Sequence, residues 1–123
     1  MNASCKGRFR RLLIFWFPVI AYCVIIFIGS AMEKPLPETQ IPQLDKFLHV
    51  VEFGGLCFLL MRALKGSFAE MPRRMVFIIA VSCTVLYGAS DEVHQLFVPG
   101  RVSSIIDLFF DSLGALIIGL IKK

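Results

Sequence analysis

Four long apolar runs, separated by short polar stretches, dominate the chain. The first run, at about residues 12–32, reads LLIFWFPVIAYCVIIFIGSAM and contains no charged side chain. As a helix it would cover roughly 30 Å, the thickness of the hydrocarbon core of a bilayer. Three shorter runs follow at about 47–64, 75–90 and 105–121. The pattern predicts an all-α membrane protein, a single domain over residues 1–123 with four transmembrane helices.

The composition agrees with a membrane protein. Hydrophobic residues make up 57% of the chain and charged residues only 18%, which is far from the composition of a soluble domain. The net charge of +4 could suggest a nucleic-acid partner, but the basic residues flank apolar runs instead of alternating with aromatic residues on a polar surface. We therefore expect no nucleic-acid partner. The four cysteines are far apart in sequence and predict neither a disulfide framework nor a zinc site.

The basic residues also predict the orientation of the chain. If it crosses the membrane four times, ten of the thirteen lysines and arginines fall on one side, and only Lys34, Lys46 and Arg101 fall on the other. Because positive residues are retained in the cytoplasm, both termini are expected there, with the loops 33–46 and 91–104 on the outer side. The basic start followed by an apolar run also resembles a signal peptide, but the run exceeds the length of about 7–15 residues typical of one.

A polar stretch, DEVHQLFVPGR at 91–101, follows the third apolar run directly. That run spans only about 24 Å as a helix, less than the hydrocarbon core of about 30 Å. We therefore predict that the third helix ends near residue 90 and that a short polar re-entrant or interfacial segment follows it. Ser90, Asp91 and Glu92 also resemble the start of a new short helix, with a serine cap and acids in the first turn.

Ionisable residues gather in the outer halves of the last three predicted helices and in the outer loop. Such residues are costly inside a membrane and usually face protein or water, so a functional role is the first interpretation. With six acids in it, the cluster should be acidic or hold some carboxyl groups protonated, which suits a cation, a proton relay or a metal. We predict a ligand-binding or functional polar cluster made of Asp45, His49, Glu52, Asp91, Glu92, Gln95, Arg101, Asp107 and Asp111.

Several of these residues have a structural alternative. Asp45 could cap the second helix, and Asp107 completes a capping-box pattern with Ser104. Arg101 could pair two carboxylates, hold a phosphate, or act as a structural counter-ion. Asp111 lies one turn deeper than Asp107 and has no capping role, and Gly114 beyond it would let a neighbouring helix come close.

Metal and catalytic chemistry are only weakly indicated. His49 with Glu52, and Asp91 with His94, each place two potential ligands one helical turn apart, as in metal sites of helical bundles. Neither an HExxH motif nor a cysteine partner accompanies them, so we predict no metal and no cofactor. Nothing resembles the nucleophile elbow of a serine hydrolase. The residues therefore leave enzymatic activity open and favour a non-catalytic role.

Two stretches, DKFLHVVEF at 45–53 and YGASDEVHQLFVPGRVSSIIDLFFDSLGALIIG at 87–119, resemble the VanZ-like family of small bacterial membrane proteins. The likeness rests mainly on the spaced DE-x-x-Q-x-F-x-PGR element, and it departs from the usual pattern at Phe53, often a tyrosine, and at Asp111, often an asparagine. The founding member is associated with low-level resistance to the lipoglycopeptide teicoplanin. The resemblance implies a multi-pass protein of the bacterial inner (cytoplasmic) membrane.

The resemblance and the polar cluster together predict a protein with an outer-leaflet polar pocket that acts at the cell envelope. It would either give teicoplanin-type resistance or bind an envelope component, and its expected partners are membrane lipids or a lipid-linked envelope component. Two alternatives stay open. One is a membrane enzyme acting on a lipid or isoprenoid-phosphate headgroup, with His49 or His94 as general base. The other is a small proton-coupled transporter built as an oligomer.

Overall fold

The structure is a computed structural model that describes residues 2–32, 42–101 and 103–122. Four helices make up most of these residues. They are α1 (Ala3–Ala31), α2 (Pro42–Ser67), α3 (Arg73–Gln95) and α4 (Ile105–Lys122), and these residues contain no strand. The all-α prediction is therefore confirmed. The expected outer loop at 33–41, with Lys34, lies outside the described residues.

Three of the helices are long and apolar enough to cross a membrane, namely α1, α3 and the segment Leu44–Ser67 of α2. This supports the prediction of a multi-pass membrane protein. The helix α4 has 18 residues and includes Asp107, Asp111 and Lys122, so length and apolarity alone do not identify it as a span. The fourth crossing stays a prediction.

The third helix is longer than predicted, and the expected break near residue 90 is wrong. The helix α3 continues to Gln95, so Asp91 and Glu92 lie in its last turns. Ser90 caps nothing, because its hydroxyl donates to the Tyr87 carbonyl at 2.7 Å within the helix. No proline or glycine interrupts residues 89–98, and the acids find polar surroundings inside the protein. Residues 96–101 and 103–104, between α3 and α4, are not helical, and Gly100 among them adopts a positive φ of 78°.

The helices α2 and α4 pack closely enough for their backbones to touch. A Cβ atom added to Gly114 of α4 would overlap the backbone carbonyl of Val50 in α2. A Cβ added to Gly54 would lie 3.1 Å from Ile118 Cγ1 and 3.3 Å from the Gly114 carbonyl oxygen. Glycines at such crossings let helix axes approach closely. The close approach that the sequence predicts at Gly114 is confirmed.

Two tyrosines connect α1 to its neighbours. The Tyr22 hydroxyl donates to the Glu52 carbonyl of α2 at 2.8 Å, and the Tyr87 hydroxyl of α3 donates to the Cys23 carbonyl at 2.5 Å. Buried hydroxyls need such partners, and here they accompany the apolar contacts of α1. These bonds hold α1 beside the ends of α2 and α3 that carry the acids.

The two ends of the bundle differ in charge. The start of α1, the end of α2, the start of α3 and the end of α4 carry basic residues and lie at one end, where the Arg62 guanidinium is 4.9 Å from the Phe15 ring and the Lys122 ammonium is 4.7 Å from the Phe58 ring. The six acids of the predicted cluster lie at the other end. Along the outside, large apolar side chains such as Phe17, Ile20 and Leu86 are exposed, as expected for a lipid-facing surface.

Candidate functional site

All nine predicted site residues lie at the same end of the bundle. They come from the first turns of α2, the last turns of α3, the connection after it, and the first turns of α4. The structure divides them into two connected groups that share His49. We call the first group the polar pocket; its site residues are Asp45, His49, Glu52, Asp91, Gln95 and Arg101. We call the second group the inner cluster, consisting of His49, Glu92, Asp107 and Asp111.

The polar pocket is a cavity of about 200 Å³ between α1, α2 and α3, open on one side. Besides the polar residues, its wall includes Ile26, Gly29 and Leu48. Three of its side chains, Asp45, Glu52 and Asp91, are carboxylates. A cavity of this size fits a headgroup or a small polar group, and its acidic wall attracts cations.

His49 connects the pocket to the inner cluster. Its Nδ1 atom lies 2.7 Å from Asp111 Oδ1, and its Nε2 atom lies 3.9 Å from Asp107 Oδ2. Asp111 is fully buried, and a Cβ atom on Gly88 of α3 would lie only 3.2 Å from its Oδ2. The glycine thus leaves the space that this carboxylate occupies. With a carboxylate near each ring nitrogen, the imidazole is held in one orientation.

Lys46 lies beside the inner cluster, although it is not among the nine site residues predicted from the sequence. Its ammonium forms an ion pair with Asp107, and it lies 3.6 Å from Asp45 Oδ2. The sequence feature that could have indicated a role for Lys46 is its position next to Asp45, at the start of a helix that also carries Glu52. The pair places a positive charge beside one of the acids of the cluster.

Glu92 connects α3 to the start of α4. Its Oε2 atom accepts hydrogen bonds from the Ser103 hydroxyl at 3.2 Å and from the Ser104 backbone N–H at 2.9 Å. The Ser104 hydroxyl accepts a hydrogen bond from the Ile106 backbone N–H at 3.2 Å and so caps α4. The predicted capping box is therefore only half correct. Ser104 caps α4, but its backbone N–H donates to Glu92 and not to Asp107, whose carboxylate pairs with Lys46.

Arg101 binds the end of α1. Its Nε atom donates to the Met32 carbonyl at 2.9 Å, and its Nη2 atom donates to the Gly29 carbonyl at 2.7 Å. These are carbonyls of the last helical turn, which lack partners within the helix and attract positive charge. Arg101 lines the polar pocket, but these two nitrogens cap a helix instead of forking onto paired carboxylates.

The remaining polar residues of α3 have two different environments, one beside the pocket and one against α1. Gln95 Nε2 donates to Asp91 Oδ2 at 3.3 Å, and both side chains are buried beside the pocket. His94 instead stacks on Phe27 of α1 with the ring centroids 4.4 Å apart. Asp91 and His94, whose spacing resembles that of a pair of metal ligands, therefore do not come together in the described residues.

Two carboxylate oxygens of the inner cluster have no hydrogen-bond partner among the described residues. They are Glu92 Oε1 and Asp111 Oδ2, both buried. Buried polar atoms are nearly always partnered, because leaving one unpaired costs roughly 1–3 kcal/mol. Each of these two oxygens is therefore free to accept a hydrogen bond or to contact a cation.

Comparison with known proteins identifies the family. No curated protein and no solved structure matches the chain. A family model described as VanZ/LLP1 matches residues 9–122, nearly the whole chain, including every residue of the pocket and of the inner cluster. The chain belongs to the VanZ/LLP1 family.

Proposed function

We propose that this VanZ-family protein crosses the bacterial cytoplasmic membrane four times, with both termini in the cytoplasm and the polar pocket on the outer side. One observation supports the orientation, and a second supports the fourth crossing. The helix starts and ends rich in lysine and arginine lie together at the end of the bundle opposite the pocket. The helix α4 packs along α2 and carries exposed apolar residues, Phe109, Leu116 and Leu120 among them.

The pocket binds a headgroup that carries a cationic amine. The observation that carries this proposal is the wall of the pocket, where the carboxylates of Asp45, Glu52 and Asp91 surround one open cavity of about 200 Å³. Ammonium groups donate strong hydrogen bonds to carboxylates. The cationic side chain on the same wall, Arg101, directs its Nε and Nη2 atoms to the carbonyls of α1. Because Lys46 lies 3.6 Å from Asp45 Oδ2, the carboxylates of Glu52 and Asp91 supply the negative charge that favours a cation.

The ligand is amphiphilic. The pocket opens between helices whose outer faces are apolar, and the exposed side chains of Phe27, Leu44, Phe47 and Leu48 lie on the helix segments that form it. An acyl chain can lie along this surface in the lipid while the headgroup enters the cavity. A membrane lipid, a lipid-linked envelope component and a lipoglycopeptide antibiotic all have this form. Binding such a molecule at the membrane surface is how the protein acts at the envelope.

Teicoplanin susceptibility tests this function in cells. A sensitive Gram-positive host would express the wild type, Glu52→Gln or Glu70→Gln at equal membrane levels. Glu70 is an exposed acid in the connection between α2 and α3, far from the pocket, and serves as the matched control. We expect protection by the wild type and by Glu70→Gln but not by Glu52→Gln. An unchanged susceptibility of the host expressing wild type would refute the resistance role.

A second candidate function is hydrolysis or transfer at a lipid headgroup. The observation that favours it is the 2.7 Å contact between His49 and the buried Asp111, the arrangement of a general base oriented by a carboxylate. His49 also lines the pocket where a headgroup would lie. Purified wild type and His49→Gln would be incubated with isoprenoid-phosphate and phospholipid substrates. Product formed by the wild type alone supports catalysis, and intact lipids in both samples exclude it for these substrates.

A further inference from the structure

We propose that His49, Glu92 and Asp111 form a binding site for a divalent metal ion at the inner end of the polar pocket. Each residue offers one ligand atom, and the three atoms lie within 4.8 Å of one another. They come from α2, α3 and α4, so an ion there would hold three helices together. The inference concerns the same site as the proposed function, but it does not depend on which headgroup the pocket binds.

The buried oxygens without partners point to this ion. Asp111 is 0% exposed and Glu92 is 6% exposed, yet Asp111 Oδ2 and Glu92 Oε1 accept no hydrogen bond from the described residues. The other oxygen of each carboxylate is engaged, by His49 for Asp111 and by the start of α4 for Glu92. Both side chains are therefore fixed in place while one oxygen of each remains available. Carboxylates buried in this way are normally paired with a cation or coordinate a metal.

The charge of the cluster fits a divalent ion. The neighbouring acid Asp107 forms an ion pair with Lys46, and Asp91 accepts a hydrogen bond from Gln95. Glu92 and Asp111 lack a lysine or arginine partner of this kind among the described residues. A neutral His49 together with these two carboxylates carries a charge of −2, which one divalent cation balances.

The ligand set favours Zn²⁺ or Mn²⁺. One imidazole nitrogen with carboxylate oxygens suits these ions, whereas Ca²⁺ and Mg²⁺ prefer oxygen ligands alone. Ligand atoms bound to Zn²⁺ lie about 2.0–2.2 Å from it, so atoms already within 4.8 Å of one another need only small side-chain movements. Metal sites inside helical bundles take carboxylates and histidines from facing helices in this way. The local spacings in the sequence missed this site because each ligand lies on a different helix.

Metal content measured on the purified full chain tests the proposal. The protein in detergent, first stripped with a chelator, would be equilibrated with Zn²⁺ or with Mn²⁺, dialysed, and analysed by inductively coupled plasma mass spectrometry. We expect about one ion per chain in the wild type, and more than about tenfold weaker binding in His49→Ala and Asp111→Asn. His94→Ala is the matched control, since His94 is the other histidine and stacks on Phe27. It should keep the ion.

Thermal unfolding in the same detergent separates loss of the site from loss of the fold. The ion should raise the unfolding temperature of the wild type and of His94→Ala but leave that of His49→Ala unchanged. Wild type that retains neither ion would overturn the proposal, whatever the variants do. Equal retention by His49→Ala would overturn it as well, because the ion would then be held elsewhere. No lipid is needed for this test and headgroup binding depends on Glu52, so the metal site and the proposed function can fail independently.

Discussion

Nδ1 of His49 and Oδ1 of Asp111 lie 2.7 Å apart across the interface between α2 and α4. Beside this pair, Gly114, three residues after Asp111, meets the backbone of Val50, the residue after His49. A polar contact and a backbone contact thus fix the position of α4 relative to α2. Residues of α3 complete the site around this fixed pair.

The first prediction concerns Asp111. Asp111→Ala removes the partner of His49 Nδ1 in a buried setting, so we expect it to lower the free energy of unfolding by roughly 1–3 kcal/mol. Asp111→Asn keeps an acceptor at this position and should cost clearly less. Thermal unfolding of the two variants in detergent, with Glu70→Ala as an exposed control, measures the difference. Equal stability of the Ala and Asn variants would show that the contact with His49 is not stabilising.

The second prediction concerns the helix crossing. Gly114→Ala forces a methyl group into the Val50 backbone, so the helices must separate, and we expect a loss of about 1–3 kcal/mol in the free energy of unfolding. Gly7→Ala is the matched control, because a Cβ atom on Gly7 would meet nothing within 4 Å. Chemical unfolding in mixed micelles compares the two. A Gly114→Ala protein as stable as Gly7→Ala would contradict the close packing of α2 and α4.

The third prediction separates two roles of Arg101. Because its Nε and Nη2 atoms cap α1 through solvent-exposed hydrogen bonds, Arg101→Ala should lower the free energy of unfolding by roughly 0.5–1.5 kcal/mol. Arg101→Lys should recover part of this, since an ammonium still interacts with the end of the helix. Arg74→Ala, an exposed arginine at the other end of the bundle, is the control. Unchanged stability of Arg101→Ala would place the function of Arg101 in ligand contact alone.

The number of helices and the gathering of the nine polar residues at one end of the bundle were predictable from the sequence, whereas the pairing among these residues was not. The apolar runs gave four helices, and the ionisable residues that would be costly in lipid all lie at one end of the bundle. The partner of each residue depends on contacts between helices. The spacing of Asp107 after Ser104 favoured a local cap, for example, but Lys46 of another helix takes that carboxylate.

The break expected after residue 90 failed for a related reason. The sequence prediction rests on the length of the apolar run, which ends at residue 90, so the helix is expected to end before Asp91 and Glu92. Inside the bundle, Gln95 bonds to Asp91 and the start of α4 bonds to Glu92, and the helix continues to Gln95. Protein groups thus surround the acids in place of water, and the helix can continue past the apolar run.

The fourth prediction concerns the crossing by α4. Alkaline phosphatase, which is active only outside the cytoplasm, would be fused after Gly100 or after Lys123 in a Gram-negative host. The fusion after Gly100 should be active and the fusion after Lys123 inactive, since α4 carries the chain back across the membrane. Green fluorescent protein at the same positions should give the opposite pattern. The same reporter activity at both positions would show that α4 does not span.

The central claim, that the acidic pocket binds an amine-bearing headgroup, is tested most directly by native mass spectrometry of the purified protein with phosphatidylethanolamine and phosphatidylglycerol. The account predicts that wild type and Glu70→Gln bind phosphatidylethanolamine more tightly than phosphatidylglycerol. It also predicts that Glu52→Gln binds phosphatidylethanolamine at least about tenfold more weakly, as expected when a charge-assisted hydrogen bond of roughly 1.5–3 kcal/mol is lost. Equal binding of the two lipids by wild type, or an undiminished affinity in Glu52→Gln, would contradict it.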